Sequence, residues 1–526
     1  MMNIRLKRLL LAGTMLTLST TILKAQDASE ALRYSQTVPV GTARSQAIGG
    51  AMGSLGGDYS ASSINPAGLG FYNTSEIVIA PNFFFNTNTT KYALSTQNPN
   101  QFGTYKENKN GLQVPTIGIV LSMPNMKPSS PWRNFTVGIG VNTIANFRRV
   151  TYLEGDNYNY SMSDRWVQQL TEDGASLSDA LTNYVDGAGL AVNTYLVDTF
   201  NVSPNNPSWF TSVNPTTGIQ QRDRKVESGG IYETNLSFAT NYGDKLYLGM
   251  NLGYTILRYK QERLYQEDDI SGDDLNEFKY FDYNVNQETE GTGVNIKIGA
   301  IYAPVSNVRI GVAFHTPTWY SMNDVTNNSV LANTENFQVN GSSERMTATT
   351  DLNDGYPLEF SYNYRTPLKA TGSLSYVFGT FQAAKQQGFI TADVDYIDYS
   401  TSRYKFPGFQ SISDQVNEDI KATYKATFNA RVGGELKFDW FAVRAGYAYY
   451  GSPYENSDFD ASIQRLSGGV GYRGKGMFVD LTYVNSMQKD TYYPYTLLYK
   501  YSDLPISSGS TKLSTSTIVA SVGFKF

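Results

Sequence analysis

The chain ends Thr517-Ile-Val-Ala-Ser-Val-Gly-Phe-Lys-Phe526, and the reading of this stretch decides the fold. In an extended strand, Ile518, Ala520, Val522, Phe524 and Phe526 share one face, and Thr517, Ser521, Gly523 and Lys525 share the other. A strand of a soluble sandwich is usually followed by a turn or a tail, whereas the closing strand of an outer-membrane β-barrel is often the last thing in its chain. The ending therefore predicts a sheet that meets lipid on its outer face.

Working back from that strand, segments of about ten alternating residues recur, the length that a tilted membrane strand needs. Val294, Ile296, Ile298, Ala300 and Tyr302 alternate with Asn295, Lys297 and Gly299; past a turn, Val308, Ile310, Val312 and Phe314 alternate with Arg309, Gly311, Ala313 and His315. The same hairpin pattern returns from Asn429 to Gly433 and from Val443 to Tyr449, as an internal repeat of a meander. Candidate strands fall near 75–90, 111–123, 134–152, 229–242, 245–265, 288–303, 307–321, 358–379, 387–406, 425–438, 440–451, 464–473, 476–487 and 515–526, or about fourteen, an even number suited to a closed antiparallel transmembrane β-barrel. Closure satisfies every backbone polar group within lipid. Tight connections such as Tyr242-Gly-Asp-Lys245 alternate with long ones, 153–228, 322–356 and 488–514, which face outward if the carboxy terminus is periplasmic.

Composition agrees with an all-β membrane chain. Only 17% of the 526 residues are charged, 13% are aromatic, and there are 39 Tyr and 46 Gly; an ordinary charged share is about 25%. Tyr suits a membrane interface because its ring is apolar and its hydroxyl wet. Residues 1–25 read as a signal peptide: a basic start at Arg5, Lys7 and Arg8, an apolar run from Leu9 to Leu18, and Leu23-Lys-Ala25 before a cut at Gln26. The apolar run is short of the roughly 20 residues of a spanning helix. Cleavage removes four cations and no acid, taking the formal charge from −5 to −9 and disfavouring nucleic acid as a partner. The absence of Cys excludes a disulfide framework, lipidation at the cleavage site and thiol catalysis.

Residues 26–74 are rich in Gly, Ala and Ser and lack sustained alternation, so they are either a periplasmic tail or a plug inside the barrel. Within them, Gly41-Thr-Ala-Arg-Ser-Gln-Ala-Ile-Gly49-Gly50-Ala51, Asp58-Tyr-Ser-Ala61 and Asn65-Pro66-Ala67-Gly68-Leu69 resemble the amino-terminal hatch of the FadL/TodX/OmpP1 family of outer-membrane transporters for hydrophobic compounds. Arg309 to Pro317 and Arg444 to Pro453 also look like strands of that family, while the outer loops match least. The resemblance implies a signal peptide at 1–25, a hatch at 26–74 and a barrel at 75–526. It also implies passive, hatch-gated passage of hydrophobic molecules, long-chain fatty acids above all, with a sideways exit and no enzyme activity. Gly49, Gly50, Asn65, Pro66 and Ala67 are the gating candidates.

The family opens its wall at a kink in the third strand, which here holds Gly138, Gly140 and Asn142. These residues either interrupt pairing or make room for hatch side chains. The outer insertion 153–228 has helical periodicity, with Trp166, Leu170, Leu181, Tyr184 and Leu196 as capture candidates and Ser163 and Ser176 as caps. Its apolar faces form either a groove or the loop's own miniature core. Expected partners are a fatty acid or similar hydrophobic ligand, outer-membrane lipid and lipopolysaccharide, and the barrel-assembly machinery, with no cofactor. His315, the only histidine, is expected at a strand end near a rim; a haem reading would make it an axial ligand. A porin-like channel is the other alternative. Lys297, Arg309, Arg431 and Arg444 face the lumen and either attract a carboxylate or pair with acids such as Asp480. The acids Glu267, Asp268, Asp269, Asp273 and Asp274 are expected in a solvated outer loop, where bridging cations are the alternative.

Overall fold

Along Leu246–Asp269, Leu248, Met250, Leu252, Tyr254 and Ile256 are exposed, while Tyr247, Asn251, Thr255, Leu257 and Tyr259 are buried. A strand that turns its aliphatic side outward and mixes polar and aromatic residues inward is stable where lipid surrounds it. The computed structural model, which describes residues 28–93, 103–127, 129–200, 207–379, 386–497 and 506–526, repeats this arrangement around a closed wall. The proposed signal peptide at 1–25 lies outside the described residues.

The wall has fourteen antiparallel strands. They are β1 (Glu76–Ala93), β2 (Thr104–Pro124), β3 (Trp132–Asn146, resumed as Arg149–Asn157), β4 (Ile219–Tyr242), β5 (Leu246–Asp269) and β6 (Tyr280–Val305). β7 runs in three pieces, Val308–His315, Trp319–Thr326 and Ser329–Asn333, and β8 in three, Glu344–Ala348, Leu358–Arg365 and Lys369–Phe378. Then come β9 (Gln386–Asp398 and Arg403–Lys405), β10 (Ala426–Phe438), β11 (Phe441–Tyr450), β12 (Ile463–Arg473), β13 (Met477–Tyr492) and β14 (Ser508–Lys525). β14 closes on β1 with Phe524 opposite Ile77, so the terminal stretch seals the barrel. The first break in β7 falls at Pro317 and the second in β8 at Pro367, which cannot donate to a ladder.

Several strands run farther outward than alternation predicts. The long connection narrows from 153–228 to 158–218, because β3 continues to Asn157 and β4 begins at Ile219. These outer ends stand above the apolar belt and carry polar residues on both faces, so a two-residue hydrophobic period is lost there.

The amino-terminal segment lies in the lumen. It forms α1 (Ala28–Ser35), α2 (Ala43–Ala47), α3 (Ala61–Ile64) and a 3₁₀ turn over Pro66–Phe71. Ala43, Ala47, Ile48, Met52, Tyr59 and Leu69 are fully buried against the wall or one another. Thr42 caps α2 through the Ser45 amide, and its hydroxyl donates to Asp58 at 2.8 Å, tying two turns of the segment together. Outside, the connection 158–218 folds into α4 (Met162–Glu172), α5 (Leu177–Asn183), α6 (Ala188–Asn193) and a short hairpin of Val197–Phe200 with Ser208–Thr211. Ser161 and Ser176 supply capping boxes with Asp164 and Asp179; Ser163, expected as a cap, sits inside the first turn. A further helix, α7 (Gln410–Thr423), packs beside the outer end of β9.

Candidate functional site

The hatch is fastened to the wall by its Asn-Pro-Ala turn. Asn65 accepts from the Ala67 amide at 3.2 Å, and its Nδ2 donates to the Gly53 carbonyl at 2.6 Å and to the Ala300 and Val312 carbonyls of β6 and β7 at 3.3 Å. Pro66 opens the 3₁₀ turn, where its missing N–H costs nothing. The wall is correspondingly thin: a Cβ on Gly299 would overlap the Asn65 amide, and one on Gly249 would overlap Pro66 and Ala67. Gly49 and Gly50, at φ +69° and +78°, make a left-handed turn that only glycine adopts freely. This turn presses into β10 and β11, where a Cβ on Gly433 or Gly446 would strike the Ile48 backbone.

Above this seat the lumen is an aromatic chamber. Tyr259, Tyr320, Tyr362, Tyr364, Tyr404 and Phe406 are all buried, and α1 fills the space between them with Ala31, Leu32 and Tyr34. The Tyr34 ring lies 6.1–6.4 Å from those of Tyr364, Phe147 and Tyr259. Tyr364 donates to the Ala31 carbonyl at 2.7 Å. Arg33 sits 4.3 Å over the Tyr259 ring and 3.8 Å from Glu227. Sequence reasoning missed this chamber, because its residues come from strands far apart in the chain and each reads as an ordinary inward position.

Phe147 marks a discontinuity in the wall. β2 and β3 pair from Pro124 with Asn134 up to Thr116 with Asn142, and no further pairing joins them among the described residues. Beyond that point residues 104–113 of β2 pair only with β1, and Arg149–Asn157 pairs only with β4. The resumed part of β3 passes behind β1, whose Asn86 and Asn88 donate to the Arg148 and Val150 carbonyls. Two strand edges are thus left unpaired beside the chamber among the described residues. Gly138 and Gly140 do not make this break: both pair on both sides, and a Cβ there would meet Leu69 and Tyr59 of the hatch. Asn142 is the last residue of β3 that pairs with β2. The neglected signals were Pro81, at the register shift in β1, and Pro115, beside the last β2–β3 pair.

The capture candidates form a packed core in the outer cap. Trp166, Leu170, Tyr184 and Leu196 are buried with Phe281, Tyr283 and Val330, and Leu181 packs against them. Exposed apolar groups of the cap are others, among them Leu177, Phe200 with Phe210, ring centroids 5.5 Å apart, and Tyr195 with Phe337 at 5.7 Å.

The lumen cations are mostly paired. Lys297 meets Glu233, Arg431 meets Asp393 and Asp395, and Arg444 meets Glu435 at 2.5 Å and Asp480 at 2.6 Å. Arg309 lies 4.4 Å from the Phe71 ring centre. His315 is not at a rim, because β7 resumes at Trp319; its Nε2 lies 2.9 Å from the Ile64 carbonyl, inside the hatch–wall contact. Glu267, Asp268 and Asp269 belong to β5 rather than a loop, and Glu267 is buried, accepting from the Met162 amide and Gln221. No cluster of His, Cys, Asp and Glu suited to a metal occurs among the described residues.

No family model matches the chain, and no curated protein matches it. Solved structures do. A Pseudomonas aeruginosa FadL homologue is 13% identical, superposes with a TM-score of 0.53, and is matched over 94% of this chain and 100% of its own. The Pseudomonas putida toluene transporter TodX is 12% identical with a TM-score of 0.49 over 93% and 99% of the two chains. The Ralstonia pickettii toluene transporter TbuX is 14% identical at 0.44 over 93% and 99%. At such identities the likeness concerns architecture, and on that ground this chain has the fold of the FadL homologue.

Proposed function

We propose that this protein carries hydrophobic small molecules, long-chain fatty acids above all, passively across the outer membrane. Residues 26–74 act as the hatch of a barrel spanning 75–526, and the molecule leaves sideways between β2 and β3. The observation that carries the reading is the aromatic chamber filled by α1 and bordered, at Phe147, by two unpaired strand edges.

The energetics favour a long apolar ligand. Burying a Leu or a similar side chain is worth about 1.5–3 kcal/mol, so Leu32 and Tyr34 hold α1 in place by about 3–6 kcal/mol. Each CH₂ of an acyl chain gains about 0.8 kcal/mol in the same space, so about four to eight methylenes offset the loss of α1. A small polar solute has nothing comparable to offer. Exit between the unpaired edges delivers the chain to lipid and spares it a passage through water. Capture would begin at the exposed rings of Phe200, Phe210, Tyr195 and Phe337, above the core built on Trp166 and Leu170. Asn65, Pro66, Ala67, Gly49 and Gly50 would hold the hatch closed. A lumen filled by the hatch speaks against a porin-like channel, and a His315 bonded to the hatch speaks against haem ligation.

The test is equilibrium binding of oleate and of hemin to the purified barrel and to a variant lacking residues 26–38. Removing α1 should tighten saturable oleate binding at least tenfold. Saturable hemin binding that disappears in His315→Ala, without oleate binding, would replace this reading with the haem one.

A further inference from the structure

The outward face of the barrel carries a row of residues at one height across five strands. Tyr254 of β5 is opposite Val294 of β6, Val294 opposite Trp319 of β7, Trp319 opposite Arg365 of β8, and Arg365 opposite Arg403 of β9. Below the row, the exposed outward residues are Leu252, Met250, Ile296 and Ile298; above it Ile256 is the last apolar one on β5, followed by Arg258 and Lys260, with Glu288 and Glu290 on β6. Tyr254 is eight residues above the turn that begins β5, which places the row about 20 Å up a strand tilted by about 40°, near the top of an apolar band about 25 Å tall. The row therefore marks the outer-leaflet boundary, given the reading of the long-loop end as outward-facing.

Two arginines directly opposite each other across a ladder repel. Lys405, two residues beyond Arg403 on the same face, adds a third cation. None of the three forms an ion pair among the described residues; Asp398, in the turn before Arg403, is engaged by the Ser400 amide and hydroxyl. Among the described residues Arg403 donates to the Ser400 and Ser402 carbonyls alone, and Arg365 to that of Thr401 alone. Both arginines and Lys405 line a cleft of about 760 Å³ together with Trp319, Tyr254, Gln410, Ser413 and Asn417. Below the cleft, β8 and β9 part company between the Lys369–Ile397 and Arg365–Arg403 pairs. Its far side, α7, is pinned by paired hydrogen bonds between Asn417 and the Tyr404 backbone, at 2.8 and 2.9 Å.

We propose that this cleft binds the phosphate of a phosphorylated glycolipid of the outer leaflet, Arg365 and Arg403 gripping the phosphate while Trp319 and Tyr254 lie along its acyl chains. Guanidinium groups suit the task because they present planar forks to phosphate oxygens. The aromatic half of the row supplies the interfacial contact that a free anion would not need.

Native mass spectrometry of the full-length barrel, loaded with bis-phosphorylated lipid A or with its dephosphorylated form, tests the proposal. Wild type should retain the phosphorylated lipid at least about tenfold better, and Arg365→Gln with Arg403→Gln should abolish that preference. Arg258→Gln, which removes an exposed cation above the row, should leave it intact. Folding of each variant is checked by the heat-modifiable gel shift of the closed barrel, and Arg403→Lys should restore part of the preference in the single-site background. Equal retention of the two lipids, or a preference unchanged in the double variant, would overturn the proposal. Displacement of the lipid by millimolar inorganic phosphate would overturn it as well, by showing an anion site indifferent to lipid. Oleate binding in the same double variant should stay at the wild-type value, so failure here is separable from failure of the transport reading.

Discussion

Replacing Asn65 by Ala should loosen the hatch while leaving the barrel closed. The side chain loses its acceptance from Ala67 and its donation to Gly53 at 2.6 Å; the two longer bonds, at 3.3 Å to Ala300 and Val312, reach carbonyls that already lie in the ladder and weigh less. Leaving a buried carbonyl such as that of Gly53 unsatisfied costs about 1–3 kcal/mol, and losing the capping acceptance about 1 kcal/mol. The sum, about 2–4 kcal/mol, multiplies the open fraction of the hatch by about 30 to 700. Hydrogen exchange in lipid nanodiscs should show amides of residues 43–70 exchanging faster by that factor, with β10 to β14 unchanged. Asn65→Asp keeps the acceptor and points a carboxylate at three carbonyls, so it should open the hatch at least as far at neutral pH and less as the carboxyl is protonated. Wild-type exchange in Asn65→Ala, or acceleration spread evenly through the barrel, would refute the claim that this turn is the fastening.

Other consequences are open to measurement. Gly446→Val would drive a branched side chain into the Ile48 backbone; overpacking of this kind costs about 1–3 kcal/mol, so the variant should raise ion conductance across planar bilayers by displacing the hatch turn. Leu32→Ala with Tyr34→Ala should weaken the seat of α1 by about 4 kcal/mol or more and tighten oleate binding at least tenfold in a fluorescence competition assay. Ser176→Ala should lower the stability of the outer cap by about 1 kcal/mol, read as faster proteolysis between α5 and α6. Burial raises the Asp164 and Asp186 carboxyls from 3.8 to about 6. Folding of the cap therefore favours their protonated forms, a contribution complete below about pH 4 and lost as pH rises through 6. The melting midpoint followed by Trp166 fluorescence should fall between pH 4 and 7.5, and less so in Asp186→Asn.

What was legible in the sequence is what local periodicity encodes. The fourteen strands follow from alternation that lipid imposes on every membrane-facing residue, and the terminal stretch closes the barrel through β1 and β14. The Asn-Pro-Ala turn was legible because Asn65 accepts from the Ala67 amide two residues on, while its bonds to Gly53, Ala300 and Val312 appear only in the folded barrel. The outer ends of β3, β4 and β5 escaped because water on both faces erases the period. The chamber and the break escaped for another reason: both depend on which residues meet across the barrel. Tyr34 and Tyr364 are neighbours only after closure, and the unpaired edge of β2 appears only when β3 turns inward at Phe147. Of the two readings open for Gly138 and Gly140, an interrupted pairing or room for hatch side chains, the second matches their contacts with Leu69 and Tyr59. Trp166 and Leu170 read equally as a groove or as a miniature core, since a helix's apolar face looks alike in both, and they form the core.

The central claim, that an acyl chain passes through the chamber of α1 and out between β2 and β3, is tested most directly by a photoreactive long-chain fatty acid bound to the barrel in nanodiscs, with adducts mapped by peptide mass spectrometry. The account predicts adducts at Tyr34, Tyr259, Tyr364 and Phe147 that excess oleate suppresses. Adducts confined to the lipid-facing belt, at residues such as Leu248, Val312 and Leu374, and indifferent to oleate would contradict it.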